Sequence, residues 1–254
     1  MRQFFIDTDP ACPPRPGDTV TLDREESHHL TTVLRAGRDA VVDLVDGRGY
    51  RMTGRPFGKS GKRAELEILT AEKDEQEAAP PHLVLGCAVV KGKRFEWALE
   101  KAVELGVHEV VPLVTEFSVV DPRAGKLDRW RHIMISAVKQ SGRSWLPALA
   151  EPTPLTDLLT VKISSPSFFG AVADPDTKVP FWTAASPRRD ETVPRSLTLL
   201  IGPEGGWSGA ETESLTSAGV RPIDMGPHVL RTETAVAAGL TILQAWRREF
   251  LAQG

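Results

Sequence analysis

Cysteine is scarce: the 254 residues contain only Cys12 and Cys87. The two match no metal-ligand spacing and no Cys-x-x-Cys redox pair, so both are expected to be inert and no metal is expected. No apolar run approaches the roughly 20 residues that a membrane-spanning helix requires. Met1-Arg2-Gln3-Phe4-Phe5 lacks the long apolar core of a secretion signal. The expectation is a cytoplasmic chain with no membrane partner. No P-loop occurs, and the lack of a dinucleotide fingerprint argues against an oxidoreductase. Hydrophobic residues make up 41%. That is an ordinary globular share, and it argues against disorder.

Charge is nearly balanced overall, at −3, but not locally. Between residues 33 and 63 lie eight basic residues: Arg35, Arg38, Arg48, Arg51, Arg55, Lys59, Lys62 and Arg63. Three acidic ones oppose them, Asp39, Asp43 and Asp46. Residues 121–143 hold six basic against two acidic residues. A single exposed arginine signifies little, but two clusters point to a polyanionic partner.

The first 70 residues read as short strands and turns. Thr19–Leu22, Ala40–Val45, Tyr50–Thr53 and the alternating Ala64–Leu69 are strand-like, and Asp46-Gly47-Arg48-Gly49 is a turn. Ser27–Arg35 reads as a short helix. The pattern suggests a small barrel over 1–72. Residues 73–82, charged and then Pro80-Pro81, have linker composition. From 83 to 254 strands alternate with helices, as in an α/β fold with a parallel sheet. The strands are His82–Val90, Val107–Val114, Ser167–Ala173, Ser196–Ile201 and Val220–Met225. The helices are Arg94–Leu105, Asp128–Gln140, one capped by Ser208 with Glu211, and Glu233–Leu251.

Two strand-to-helix loops carry the chemistry. The first is Gly202-Pro203-Glu204-Gly205-Gly206-Trp207. In parallel sheets ligands bind beyond the carboxyl ends of strands, where this loop falls. Its glycines permit close backbone approach. Read alone, it serves equally as a bare turn or a ligand cradle. Glu204 would repel phosphates, so a phosphate-free cofactor with a positive centre suits it better. The second loop is Met225-Gly226-Pro227-His228-Val229-Leu230-Arg231-Thr232-Glu233-Thr234. Thr232 is placed to cap the final helix. Arg231 stands just before that helix N-terminus, where an anionic group would be favoured. Trp207 is a further candidate for the pocket wall.

Gly-Pro-Glu-Gly-Gly followed by Leu-Arg-Thr-Glu-Thr-Ala resembles the SPOUT class of RNA methyltransferases. His28-His29-Leu30 with Val33-Leu34-Arg35, Lys101–Val107 with Pro112, and Gln140-Ser141-Gly142-Arg143 with Pro147 narrow the resemblance. They point to the ribosomal small-subunit methyltransferase E family. The likeness runs through nearly the whole chain. One departure is Lys139, where that family usually carries glutamate.

The resemblance implies a SPOUT domain with a C-terminal trefoil knot, a PUA-like RNA-binding barrel and a homodimer. It implies S-adenosylmethionine as cofactor and N3 of a uridine in small-subunit ribosomal RNA as target. Cofactor contacts would come from Ile201, Gly202, Glu204, Gly205, Gly206, Met225, Gly226, Leu230, Arg231 and Thr232, with Ala173-Asp174 as a further wall. Arg231 would stabilise charge on the uracil; Glu204 is a candidate to take its proton or else binds cofactor or holds the loop, and Glu233 is the weaker candidate base. Arg35, Lys91, Lys93, Arg94 and Arg143 would contact RNA. Two other readings are a non-catalytic ribosome assembly factor and a knotted methyltransferase acting on tRNA ribose.

Overall fold

The computed structural model describes residues 3–37, 39–118, 126–161, 167–170 and 194–253. The chain divides into two units. One comprises Met1–Ala78 with Ile135–Leu146, the other Ala79–Met134 with Pro147–Gly254.

The first unit is built on five strands: β1 (Gln3–Phe5), β2 (Thr19–Thr21), β3 (Val42–Val45), β4 (Tyr50–Ser60) and β5 (Arg63–Lys73). Their order is β1-β3-β4-β5-β2, and every pairing except β1 with β3 is antiparallel. Alternation along β5 puts Ala64, Leu66 and Ile68 inward, against Phe4, Leu22, Leu30 and Leu44. The turn before β4 forms as its composition requires. The carboxylate of Asp46 accepts from the backbone amides of Arg48 and Tyr50, at 2.8 and 3.1 Å. Gly47 and Gly49 take φ values of +70° and +99°. The expected short helix is split into α1 (Arg24–His28) and a π-helical turn, His29–Val33.

Part of the stretch read as a linker is folded. Lys73 ends β5, and Glu75–Ala78 is a helical turn, α2. Its Glu77 accepts from the Ser144 amide at 3.1 Å and pairs with Arg143.

Lys139 sits in this unit, its ammonium paired with the carboxylate of Glu26. Glu26 is only 4% exposed, and its second carboxylate oxygen is buried with no hydrogen-bond partner. Burial raises the Glu26 carboxyl above its ordinary value of 4.5, and Lys139 opposes that shift. A raised folded-state value means that the native protein holds the proton more tightly than the unfolded chain. The ionised form therefore weakens the fold above the raised value, and this penalty fades as pH falls towards 4.5. Wild type should gain stability relative to Glu26→Gln over that interval, read from urea midpoints at several pH values. Lys139→Met, which keeps the aliphatic stem and removes the charge, should cost about 3 kcal/mol at neutral pH. The departure at Lys139 thus has a local partner: a lysine here neutralises a buried glutamate that a second carboxylate would oppose.

The second unit is a sheet of parallel strands. They are β6 (His82–Ala88), β7 (Glu109–Val114), β8 (Ala148–Leu149), β10 (Ser167–Gly170), β11 (Ser196–Ile201) and β12 (Arg221–Ile223). Their order is β12-β10-β11-β6-β7-β8, and β9 (Thr153–Pro154) also pairs with β7. The helices are α3 (Arg94–Glu104), α4 (Lys126–Ser141, which continues into the first unit's segment), α5 (Leu155–Val161), α6 (Gly209–Ser217) and α7 (Thr232–Gln253). The apolar runs of β6, β7 and β11 are buried on both faces, as parallel strands under helices must be. The stripe Phe95, Ala98, Leu99 and Ala102 turns α3 inward, and Gly106, at φ +83°, stops it. Gly239 lets α7 lie close on β11, since a Cβ there would stand 2.5 Å from Leu199 Cδ2. Residues 171–173, read as the end of a strand, lie outside the described residues.

Candidate active site

The two chemistry-bearing loops follow β11 and β12, the strands on either side of β10 in the second unit's sheet. The first leaves β11, next to β6 at the middle of the strand order. The Gly206 amide donates to the Pro203 carbonyl at 2.9 Å, closing a tight turn. Gly206 has φ +74°, which favours glycine. A Cβ on Gly202 would come within 3.1 Å of the Trp207 indole. Trp207 therefore packs beneath the loop and against the core formed by Val111, Leu113 and Leu200, and does not line the cavity described below. The helix that follows starts with the predicted capping box. The Ser208 hydroxyl accepts from the Glu211 amide at 3.2 Å, and the Glu211 carboxylate accepts from the Ser208 amide at 2.9 Å. The other Glu211 oxygen accepts from the Glu116 amide at 2.8 Å. That bond pins the turn carrying Phe117 over Gly205, where an added Cβ would lie 3.1 Å from Phe117 Cβ.

The second loop begins where the Asp224 carboxylate accepts from the Gly226 amide at 2.8 Å. Gly226, at φ +126°, makes the turn. One sequence expectation is corrected here. The Arg231 carbonyl accepts the first helical bond, from the Ala235 amide at 2.9 Å, so Arg231 takes the capping position. Thr232 is the first residue of α7, and its hydroxyl donates to the Gly202 carbonyl at 3.2 Å. Thr232 is 3% exposed, so this buried bond fastens one loop to the other. Threonine serves as the clasp between the loops and not as the helix cap.

A cavity of about 800 Å³ lies beside this junction. Glu204, Glu233 and Thr234 form one side, and Lys91, Lys93 and Arg94 another. Trp97 and Phe117, each 43% exposed, add aromatic walls. The structure thus brings together Glu204 with three of the five predicted RNA-contacting cations. Arg94 is ion-paired with Glu204. One carboxylate oxygen of Glu233 is buried without a hydrogen-bond partner. Burial pushes the nearby Cys87 thiol up to about 12, with the Glu233 charge adding to the shift, so Cys87 stays protonated and unreactive at neutral pH. Arg231 is exposed and makes no side-chain ion pair among the described residues, a cation available to a ligand. Met225, Gly226 and Leu230 are half-buried along the second loop, while Ile201 and Gly202 are buried beneath the first.

The family model described as an RNA methyltransferase domain matches residues 77–244, and one described as an RNA methyltransferase PUA domain matches 22–69. The chain belongs to the ribosomal RNA small subunit methyltransferase E family. The methyltransferase E of Synechocystis sp. is 30% identical over 227 residues, 89% of this chain and 73% of that protein. That of Buchnera aphidicola from Schizaphis graminum is 28% identical, covering 89% of each. The crystal structure of the Neisseria gonorrhoeae methyltransferase E bound to S-adenosyl methionine is 30% identical, with a TM-score of 0.81 over 96% of this chain and 97% of that one.

Two predicted RNA contacts lie in the first unit and differ from each other. Arg35 is exposed and strained, at φ +50°. Arg143 is 8% exposed and ion-paired with Glu77. That is a correction: this guanidinium is committed to an internal carboxylate and not presented to a phosphate. Ala173-Asp174 lie outside the described residues. Sequence reasoning missed Trp97 and Phe117. Trp97 had a signal, as a large aromatic off the buried stripe of α3, whereas Phe117 sits in a turn with no local signature.

Proposed function

We propose that the protein transfers a methyl group from S-adenosylmethionine to N3 of a uridine in small-subunit ribosomal RNA. The observation that carries this is the Thr232–Gly202 clasp, which joins the family's two signature loops next to a cavity lined by cations and aromatic rings. The residues fit the cofactor's chemistry. Two carboxylates, Glu204 and Glu233, stand where a phosphate-free cation would bind, and the unpartnered Glu233 oxygen needs a donor.

The bound cofactor supplies an electrophilic methyl carried on sulfonium. The chain's residues must hold the uracil and manage the N3 proton, because N3 is a poor nucleophile until that proton leaves. Glu204 takes the proton, and Arg231 faces the negative charge that spreads onto the uracil oxygens. Without RNA, Arg94 occupies Glu204; a substrate phosphate competes for Arg94 and frees the carboxylate. Lys91 and Lys93 position the RNA backbone. The same reading includes a trefoil knot, a PUA-like barrel over 1–72, a catalytic domain over 83–254, a homodimer with each site near the subunit interface, and a cytoplasmic workplace.

The test is transfer of label from S-adenosylmethionine to small subunits purified from cells lacking the protein, followed by nucleoside analysis. Label should appear as N3-methyluridine. Label in a ribose-methylated nucleoside, or no label, contradicts the reading.

A further inference from the structure

The first unit has a cavity of its own, about 340 Å³, between the helical turn carrying Leu30 and Thr31 and the middle of β4. Leu30 and Ala64 form a buried apolar floor. Phe57 stands at its edge with 47% of its surface exposed. The β4–β5 register shifts between Pro56, opposite Leu66, and Gly58, opposite Glu65. Phe57 is thus the extra residue of a β-bulge, a device that re-aims a side chain. Keeping a phenyl ring in solvent forgoes the transfer free energy that burial would supply.

Of the eight basic residues of 33–63, Arg38 lies outside the described residues and the other seven sort by partner. Arg48, Arg51 and Arg55 are ion-paired with Asp7, Asp74 and Glu67 at 3.3, 3.1 and 2.9 Å. Arg35, Lys59, Lys62 and Arg63 are exposed and have no ion pair among the described residues. Lys59 lines the cavity, while Arg35 and Arg63 directly precede its wall residues Ala36 and Ala64. Cations committed to internal carboxylates are structural. Lys59 borders the exposed ring over the apolar hollow, and Arg35 and Arg63 adjoin its wall in sequence, which is the chemistry of an unpaired nucleobase with its flanking phosphates.

We propose that this cavity is a second RNA subsite. It takes one unpaired base of the substrate, away from the methylated uridine, stacked on Phe57, with Lys59, Arg35 and Arg63 holding adjacent phosphates. The proposal rests on the reading that the substrate is RNA.

The test is fluorescence anisotropy of a labelled ten-residue oligouridylate with the full chain, alongside methyl transfer to small subunits. Phe57→Ala should weaken oligouridylate binding about tenfold. Phe57→Leu should lose as much, since it is apolar but has no ring, while Phe57→Tyr should retain binding. Lys59→Ala should lower the salt dependence by about one unit of slope. On small subunits, Phe57→Ala should raise KM and spare kcat. Oligouridylate binding that is absent in wild type, unchanged in Phe57→Ala, or kept equally by the Leu and Tyr variants overturns the subsite. So does a Phe57→Ala defect that appears only when a ribosomal protein is present, which would make the surface a protein contact. If binding depends on Phe57 but wild type methylates no subunit, the subsite stands and the reading of function falls.

Discussion

Arg231→Ala is expected to slow methyl transfer about 10²–10³-fold while leaving cofactor affinity within a few-fold of wild type. Deprotonating N3 places negative charge on the uracil oxygens, and a cation held beside that charge stabilises it better than water does. Arg231 suits the task because nothing among the described residues consumes its charge. Its carbonyl opens α7, and Thr232 next to it is clasped to Gly202, so its backbone is held from both sides. Single-turnover rates at saturating cofactor, with calorimetry of S-adenosylmethionine binding, separate the two effects. An unchanged rate removes Arg231 from the chemistry, and a loss confined to cofactor affinity reassigns it to binding.

Glu204→Gln is expected to cost about 10²–10⁴ in rate, the range for loss of a positioned general base. Glutamine keeps the shape and can still accept from Arg94, but cannot take a proton. The defect should shrink as pH rises, because hydroxide increasingly removes the N3 proton in place of the enzyme. Arg94→Ala is the control: it breaks the pair with Glu204 and leaves the carboxylate. It should raise KM for RNA and spare kcat, because Arg94 is assigned to phosphate and Glu204 to the proton. If Glu204→Gln keeps full activity across neutral pH, the base is elsewhere, and Glu233, the other carboxylate in the wall, becomes the residue to replace.

Features encoded locally were readable in the sequence. The Ser208–Glu211 capping box lies within four residues, and both of its bonds form. Gly106 stops α3 at positive φ, as its place after that helix's apolar stripe suggests, and Gly219 follows α6 at φ +77°. The buried parallel strands announced themselves as apolar runs too short for helices. Features that depend on distant pairings were not readable. Thr232 looks like a helix cap until Gly202, 30 residues earlier, is seen to supply an acceptor. Arg143 looks like an RNA contact until Glu77, 66 residues earlier, claims its guanidinium. Trp207 looks like a pocket wall, but the missing side chain of Gly202 gives its indole a place beneath the loop. Part of the stretch around 73–78 has linker composition, yet its acidic residues are used as acceptors by Arg51, Arg143 and Ser144. In each case the residue type was read correctly and the partner was out of view.

Uridine N3 methylation of small-subunit RNA at the clasped loops is tested most directly in cells. Small-subunit RNA from cells with and without the gene for this chain should be digested and mapped for N3-methyluridine. One such nucleoside should disappear without the chain, return with the wild-type protein and stay absent with Arg231→Ala. An unchanged set of N3-methyluridines in cells lacking the chain would contradict it.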